Sequence, residues 1–85
     1  MENKKIAIIG VGNMGGAIAV GLVKSGFVQA ADIFVADKKD ASLEKMKALG
    51  VNSFHNNLDA AKDADVVIVA VKPYHIESVI TELKP

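Results

Sequence analysis

A glycine-rich loop between a strand and a helix is the feature that most constrains the fold of this chain. The loop, Gly10–Gly15, has the spacing G-x-G-x-x-G. It directly follows the unbroken apolar run Ile6–Ile9, which is typical of a strand buried on both faces of a parallel sheet. Apolar residues then recur at helical spacing over residues 14–25, and Gly26 stands where a left-handed helix end is expected. This succession predicts a binding site for a phosphate-bearing ligand at the start of the helix.

The rest of the chain repeats the order of strand and helix. Further strands are predicted at Ile33–Ala36, Val51–Phe54 and Val66–Val71. Further helices are predicted from an N-cap at Asp40 to Gly50, over Leu58–Asp63, and over a last segment carrying Ile76, Val79, Ile80 and Leu83 at amphipathic spacing. The inward faces are predicted to carry Met14, Ala17, Ile18, Gly21 and Leu22 in the first helix, and Leu43, Met46 and Leu49 in the second.

This alternation predicts an α/β fold of the Rossmann type. We expect a doubly wound parallel sheet of four strands in the order 3-2-1-4, with helices on both faces. The 85 residues suffice for one domain, residues 1–85. Such folds usually add strands beyond the fourth, so we expect the sequence to be part of a longer protein.

Charge and residue usage argue against several classes of protein. Ten basic residues balance ten acidic ones, so no basic excess exists to bind nucleic acid or a membrane surface. Four apolar residues before Gly10 are too few for a signal-peptide core or a membrane span. The chain has no cysteine, which excludes disulfides and thiolate chemistry. His55 and His75 stand apart without a recognisable carboxylate partner, and Tyr74 is interpreted as a packing residue. We therefore expect a cytoplasmic protein with no metal site.

Each glycine of the loop has a distinct expected task. Gly10 allows the tight turn out of the strand, and Gly12 lets the backbone approach a pyrophosphate. Gly15, helped by Gly16 and Ala17, lets the helix pack close to the sheet. The motif in this context predicts a dinucleotide, and a glycine turn that binds nothing is the weaker alternative.

Two neighbouring residues give opposing signals about the dinucleotide. Asp37 lies 22 residues after Gly15 at the end of the second strand, where an acid holds the ribose hydroxyls of NAD. Lys38 and Lys39 follow, and a cation there can hold the additional phosphate of NADP. A solvated turn without a ligand is the third interpretation. The residues alone leave the choice open.

The glycine loop and a later turn together resemble one enzyme family. The segment Ile8–Ile18 resembles the start of pyrroline-5-carboxylate reductases and also that of β-hydroxyacid dehydrogenases. The long join Gly26–Asp32 and the turn Ala70–Pro73 after the fourth strand favour the reductases. This resemblance covers the whole chain.

The motif and the resemblance imply a set of cofactor-binding residues. They are Ile9, Gly10, Val11, Gly12, Asn13, Met14 and Gly15 in the loop, Asp37, Lys38 and Asn57 near the adenosine, and Ala70, Val71, Lys72 and Pro73 near the nicotinamide ribose. Many family members carry a small polar residue in place of Asp37 and arginine in place of Lys38. Asp37 is a departure that argues against a strict preference for NADP. Purely structural alternatives are a helix cap for Asn57, an exposed lysine for Lys72 and a helix-starting proline for Pro73.

The resemblance implies hydride transfer from NADPH, or from NADH, to the C=N bond of 1-pyrroline-5-carboxylate, giving L-proline. In this family a carboxyl-terminal helical domain supplies the substrate contacts and the dimer. We expect this domain to be absent from the 85 residues, the chain alone to be inactive, and the full protein to be a homo-oligomer. No catalytic residue is assigned. The alternatives are a β-hydroxyacid or deazaflavin-linked NADP oxidoreductase, or a non-catalytic dinucleotide-binding module.

Overall fold

Strands and helices alternate along the chain, as the sequence predicts. The computed structural model describes residues 4–71, 80, 81 and 83. The elements in chain order are β1 (Ile6–Ile9), α1 (Asn13–Lys24), a 3-10 turn (Ala30–Asp32), β2 (Ile33–Ala36), α2 (Asp40–Leu49), β3 (Asn52–Phe54), α3 (Asn57–Ala61) and β4 (Val66–Val69).

The four strands form one parallel sheet in the order β3-β2-β1-β4. The predicted fold class and strand order are therefore confirmed. β1 lies in the centre, where Ile6 is in register with Ile33 on one side and with Val66 on the other. All four residues of β1 are buried, because β1 has a strand on each side and helices above and below. β4 lies at the edge of the sheet.

Apolar side chains cover both faces of the sheet. On one face Ile8 and Val35 belong to a cluster completed by α1 and α2, which includes Leu43 and Met46 as predicted. On the other face Ile9 and Ala36 pack with Ala60 of α3, and Leu83 packs against them. Consecutive strand residues alternate between the two clusters because side chains along a strand point to opposite faces.

The inward face of α1 differs from the prediction. Gly15 and Ala19 are buried, whereas Met14 is 59% exposed. Ala17 and Gly21, also predicted to face inward, are exposed. The close approach of Gly15 to the loop sets this rotation, since a Cβ at Gly15 would lie only 1.8 Å from the Gly10 carbonyl oxygen. Ile18 and Leu22 pack against the sheet as predicted.

The ends of the first two helices confirm the predicted glycines at the carboxyl ends and correct the predicted N-cap of α2. Gly26 after α1 and Gly50 after α2 have φ angles of 73° and 95°, as left-handed helix ends require. Lys39, and not Asp40, is the N-cap of α2. The Asp40 carboxylate instead contacts Nε2 of His55, so the expectation that His55 has no carboxylate partner was wrong.

The capping role that is the structural alternative for Asn57 belongs to the residue before it. Asn56 is the N-cap, and its Oδ1 accepts hydrogen bonds from the amides of Leu58 at 2.8 Å and Asp59 at 3.1 Å. Asn57 is the first helical residue. α3 ends at Ala61, two residues before the predicted Asp63.

The last two strands are shorter than predicted. β3 begins at Asn52, one residue after the predicted start, and β4 ends at Val69. The amide of Ala70 still donates to the Ile9 carbonyl at 2.8 Å, and the chain bends at Val71.

The predicted last helix is only partly covered by the described residues. Ile80, Thr81 and Leu83 are helical, whereas Ile76 and Val79 lie outside the described residues, as do Tyr74 and His75. No helix within the described ranges is long and apolar enough to cross a membrane.

Candidate functional site

The carboxyl ends of the strands bring the predicted site residues to one edge of the sheet. Backbone hydrogen bonds tie these ends together: the Gly10 amide donates to Ala36 at 2.8 Å, and the Asp37 amide donates to Phe54 at 3.1 Å. The Ala70 amide, which follows β4, is bound to Ile9 of β1. The loop, Asp37 and Ala70 therefore meet where doubly wound folds bind their ligands.

Gly10 makes the turn out of β1. Its backbone conformation favours glycine, and the space around it leaves no room for a side chain. Its φ angle is 89°, in the left-handed region. A Cβ there would lie 2.7 Å from Cγ1 of Val71 and 3.2 Å from the Ala70 carbonyl oxygen. The missing side chain thus lets the end of β4 pack directly on the loop.

Gly12 has open space around it, unlike Gly10 and Gly15. A Cβ on Gly12 would meet no heavy atom within 4 Å. Gly12 is the N-cap of α1, and Asn13 and Met14 begin the helix with exposed side chains. The surface above Gly12 can therefore admit a ligand close to the backbone.

The amino terminus of α1 is prepared for an anion. Its first hydrogen bond runs from the Gly16 amide to the Gly12 carbonyl at 2.8 Å, so the amides of Asn13 and Met14 precede the helical ladder. No side chain caps these amides within the described residues, and the first turn contains no acidic residue. The free amides and the helix dipole favour negative charge, so the site fits a pyrophosphate.

Val11 divides the loop into an anchored part and an open part. Its amide donates to Oδ2 of Asp37 at 2.9 Å, and its side chain is buried in the cluster beneath α1 and α2. The Gly10 amide is bound to Ala36. Two of the predicted loop amides are therefore committed to the protein itself, and the part that can face a ligand begins at Gly12.

The predicted adenosine-side residues lie at the same edge. Asp37 follows β2 and is partly buried, with Oδ1 accepting from the Lys39 amide at 2.9 Å. Lys38 is exposed beside it, and partly buried Asn57 begins α3 just after β3. On the predicted nicotinamide side, Ala70 and Val71 adjoin Gly10. Lys72 and Pro73 lie outside the described residues.

Sequence reasoning missed two contacts at this edge. Asp37 and Val11 are 26 residues apart, and His55 and Asp40 are 15 apart. Both pairs join the ends of different strands and helices, so no local spacing indicates them. The signal lies in the predicted strand order. It places the loop after β1 beside the end of β2, where Asp37 lies. It also places the start of α2, where Asp40 lies, beside the end of β3 and His55.

Comparison with known proteins identifies the family. A family described as NADP oxidoreductase, coenzyme F420-dependent, matches residues 5–85. The chain belongs to this family. The match to this NADP oxidoreductase family begins just before β1 and includes the whole glycine loop.

Several relatives also bear out the resemblance to pyrroline-5-carboxylate reductases. The enzyme of that name from Methanosarcina acetivorans is 38% identical over 85 residues, covering 99% of this chain and 32% of the relative. The structure of such a reductase from Coxiella burnetii matches with a TM-score of 0.92 and 37% identity, covering 96% of this chain and 30% of that one. A Plasmodium falciparum pyrroline carboxylate reductase with NADP bound matches with a TM-score of 0.79 and 30% identity, covering all of this chain and 30% of that one. The chain spans about a third of the length of the curated relatives it matches.

Proposed function

We propose that residues 1–85 are the NAD(P)-binding domain of a pyrroline-5-carboxylate reductase. The reaction is hydride transfer from NAD(P)H to the C=N bond of 1-pyrroline-5-carboxylate, in the synthesis of L-proline. The observation that carries the proposal is the open amino terminus of α1 at Gly12, which fits a pyrophosphate. Similarity to reductases of this name over nearly the whole chain supports the choice of substrate.

The proposed tasks of the residues follow from their positions. The amides of Gly12, Asn13 and Met14 bind the pyrophosphate, and the absence of a Cβ on Gly12 gives it room. Gly10 and Gly15 shape the loop, because a side chain at either position would clash with neighbouring atoms of the protein. The bound nicotinamide supplies the hydride, and the protein binds and orients it.

The two ends of the cofactor are proposed to lie on opposite sides of the loop. Lys38 and Asn57 bind the adenosine end, beyond β2 and β3, and Ala70–Pro73 line the nicotinamide ribose beyond β4. NADPH is the proposed cofactor, with NADH as a weaker ligand. Lys38 supports this preference because its cation can pair with the additional phosphate, and one related reductase was solved with NADP bound.

The remaining parts of the activity are proposed to lie in other parts of the full protein. Pyrroline-5-carboxylate is bound by a carboxyl-terminal helical domain, which also forms a homo-oligomer. A cytoplasmic location is part of the same proposal. The chain spans about a third of its curated relatives, which leaves room for such a domain.

Titration of the chain with NADPH, NADH and AMP tests the proposal. We expect saturable binding of both dinucleotides, weaker binding of AMP because it lacks the pyrophosphate, and no turnover of pyrroline-5-carboxylate. The full-length protein should reduce that substrate. Steady-state turnover by the 85 residues alone, or no binding of either dinucleotide, would contradict the proposal.

A second candidate is an oxidoreductase that exchanges hydride between NADP and a deazaflavin. The family description favours it, because it names coenzyme F420, which is a deazaflavin. The full-length protein distinguishes the two candidates. Reduction of F420 by NADPH without reduction of pyrroline-5-carboxylate would support the second, and the reverse result would support the first.

A further inference from the structure

Asp37 stands where an acid in a dinucleotide fold holds the ribose, but its carboxylate is turned to the protein's own backbone. Oδ2 accepts from the Val11 amide and Oδ1 from the Lys39 amide, both at 2.9 Å. We infer that Asp37 is a positioning residue for the glycine loop and does not select between NADH and NADPH. The inference rests on the proposed function, since it concerns the same cofactor site.

The sheet holds Asp37 firmly enough for it to serve as an anchor. Its amide donates to the Phe54 carbonyl at 3.1 Å, and Ala36 before it is fully buried and bonded to the Gly10 amide. The carboxylate is partly buried between the end of β2 and the loop. Asp37 therefore holds the loop in a fixed position relative to the end of β2.

The anchored residue is the one immediately before the open part of the loop. The Val11 side chain is 4% exposed within the core, and its amide is held by Asp37. The side chain and the backbone amide of Val11 are thereby both fixed. Together they set the direction in which the backbone enters Gly12. Without the carboxylate, the Val11 amide would lose its partner and the path to Gly12 would be held only by packing.

This role also resolves the conflict between Asp37 and Lys38. An acid that selects NAD directs an oxygen to the ribose hydroxyls and repels a phosphate there. In this chain each oxygen of Asp37 already accepts an amide hydrogen bond, and amides favour negative charge next to them. The carboxylate is thus held by the loop backbone, and the preference for the additional phosphate comes from the cation of Lys38 next to it.

The test compares Asp37→Ala and Asp37→Asn with the unchanged chain, by titration with NADPH and with NADH. The alanine variant should bind both cofactors about tenfold more weakly, because a charge-assisted anchor is lost from the site for their common pyrophosphate. The asparagine variant keeps one acceptor oxygen and should lose less. Weaker NADH binding combined with tighter NADPH binding in Asp37→Ala would overturn the inference, since it is the signature of an acid that selects the ribose.

Amide hydrogen exchange separates positioning from a general loss of structure. In Asp37→Ala the Val11 amide should exchange faster, while the amides of Ile8 and Val35 in the sheet keep their protection. Faster exchange over the whole sheet, or an unchanged Val11 amide, would overturn the inference. The exchange rate of the Val11 amide can be measured without a cofactor. It therefore tests the anchor even if the unchanged chain binds neither dinucleotide, and failure of the proposed function can be distinguished from failure of the anchor.

Discussion

The three glycines of the loop motif lie in very different surroundings. Gly10 has left-handed backbone and lies against Val71, Gly15 lies against the Gly10 carbonyl, and Gly12 lies in open space. Two of these glycines are therefore needed by the folded protein, and the third leaves open space where the proposed ligand would bind. This separation makes the roles of single residues measurable.

Substitution of Gly12 should abolish cofactor binding without unfolding the chain. In Gly12→Val the side chain occupies the open space proposed for the pyrophosphate, so we expect no detectable binding of NADPH. The free energy of unfolding should change by about 1 kcal/mol or less, the usual range for an exposed helix cap. Titration and urea denaturation measure the two effects. Undiminished binding would place the pyrophosphate elsewhere.

Gly15→Ala is the matched substitution and should act on stability. Glycine to alanine inside a helix usually stabilises it, but the new Cβ would lie 1.8 Å from the Gly10 carbonyl oxygen. Overpacking of this kind typically costs about 1–3 kcal/mol, so we expect net destabilisation in urea denaturation. A variant as stable as the original chain would show that α1 can move away from the loop.

Lys38→Ala should weaken the binding of NADPH more than that of NADH. The lost cation is exposed, so the difference should be modest, up to about fivefold. Lys24→Ala is the control, because Lys24 is the last residue of α1 and the loop lies at the other end of that helix. Equal losses for both cofactors in Lys38→Ala would show that Lys38 does not contact the additional phosphate.

At the scale of helices and strands, the sequence predicts which elements exist better than how they end. Apolar runs predict three of the four strands, and helical spacing predicts α1 and α2, whereas the short β3 carries few apolar residues and is a weaker prediction. The predicted cap of α2, Asp40, and the alternative cap of α3, Asn57, each lie one residue after the N-cap that the structure shows. Adjacent polar residues such as Asn56 and Asn57 have the same local preference, and only the direction of the incoming chain distinguishes them.

The rotation of α1 and the partners of its loop depend on distant contacts. Spacing alone allows an inward face through either Met14 or Gly15, and the contact between Gly15 and Gly10 decides between them. The location of the candidate site could be predicted, since the loop and Asp37 follow neighbouring strands. The bond from Val11 to Asp37 could not, because it depends on side-chain geometry between two separate elements.

The cap of α3 can be tested by substitution of Asn56. Asn56→Ala removes the acceptor of the Leu58 and Asp59 amides and should lower the free energy of unfolding by about 1 kcal/mol. Asn56→Asp keeps an oxygen acceptor at the same place and should retain nearly full stability. Denaturation of both variants in urea measures the difference. Equal stability of the alanine and aspartate variants would mean that the cap contributes little.

For the molecule as a whole, the exposed edge of the sheet predicts self-association of the 85-residue chain. β4 pairs with β1 on one side, and no strand within the described residues pairs with its other side. Val66 and Val67 on this edge are each 40% exposed. An apolar edge strand with unpaired backbone groups is a template for pairing with another chain.

Light scattering over a dilution series measures this association. We expect particle mass to rise with concentration, through sheet pairing or a swapped dimer. Val67→Lys should shift the chain towards monomer, because a charged side chain discourages strand pairing at an edge. A monomer at all concentrations, unaffected by the lysine, would show that the edge is protected.

The central position of β1 also determines when the sheet can close during synthesis of the protein. β1 is made first, yet one of its two neighbours is β4, whose first residue, Val66, comes 57 residues after Ile9. At a translation rate of about 5–20 residues per second, one side of β1 waits roughly 3–11 seconds for its partner. The fully buried strand in the centre of the sheet thus lacks one of its two neighbours while most of the 85 residues are being made. A nascent chain that ends before β4 therefore leaves the hydrogen-bonding edge of β1 on that side without a partner strand.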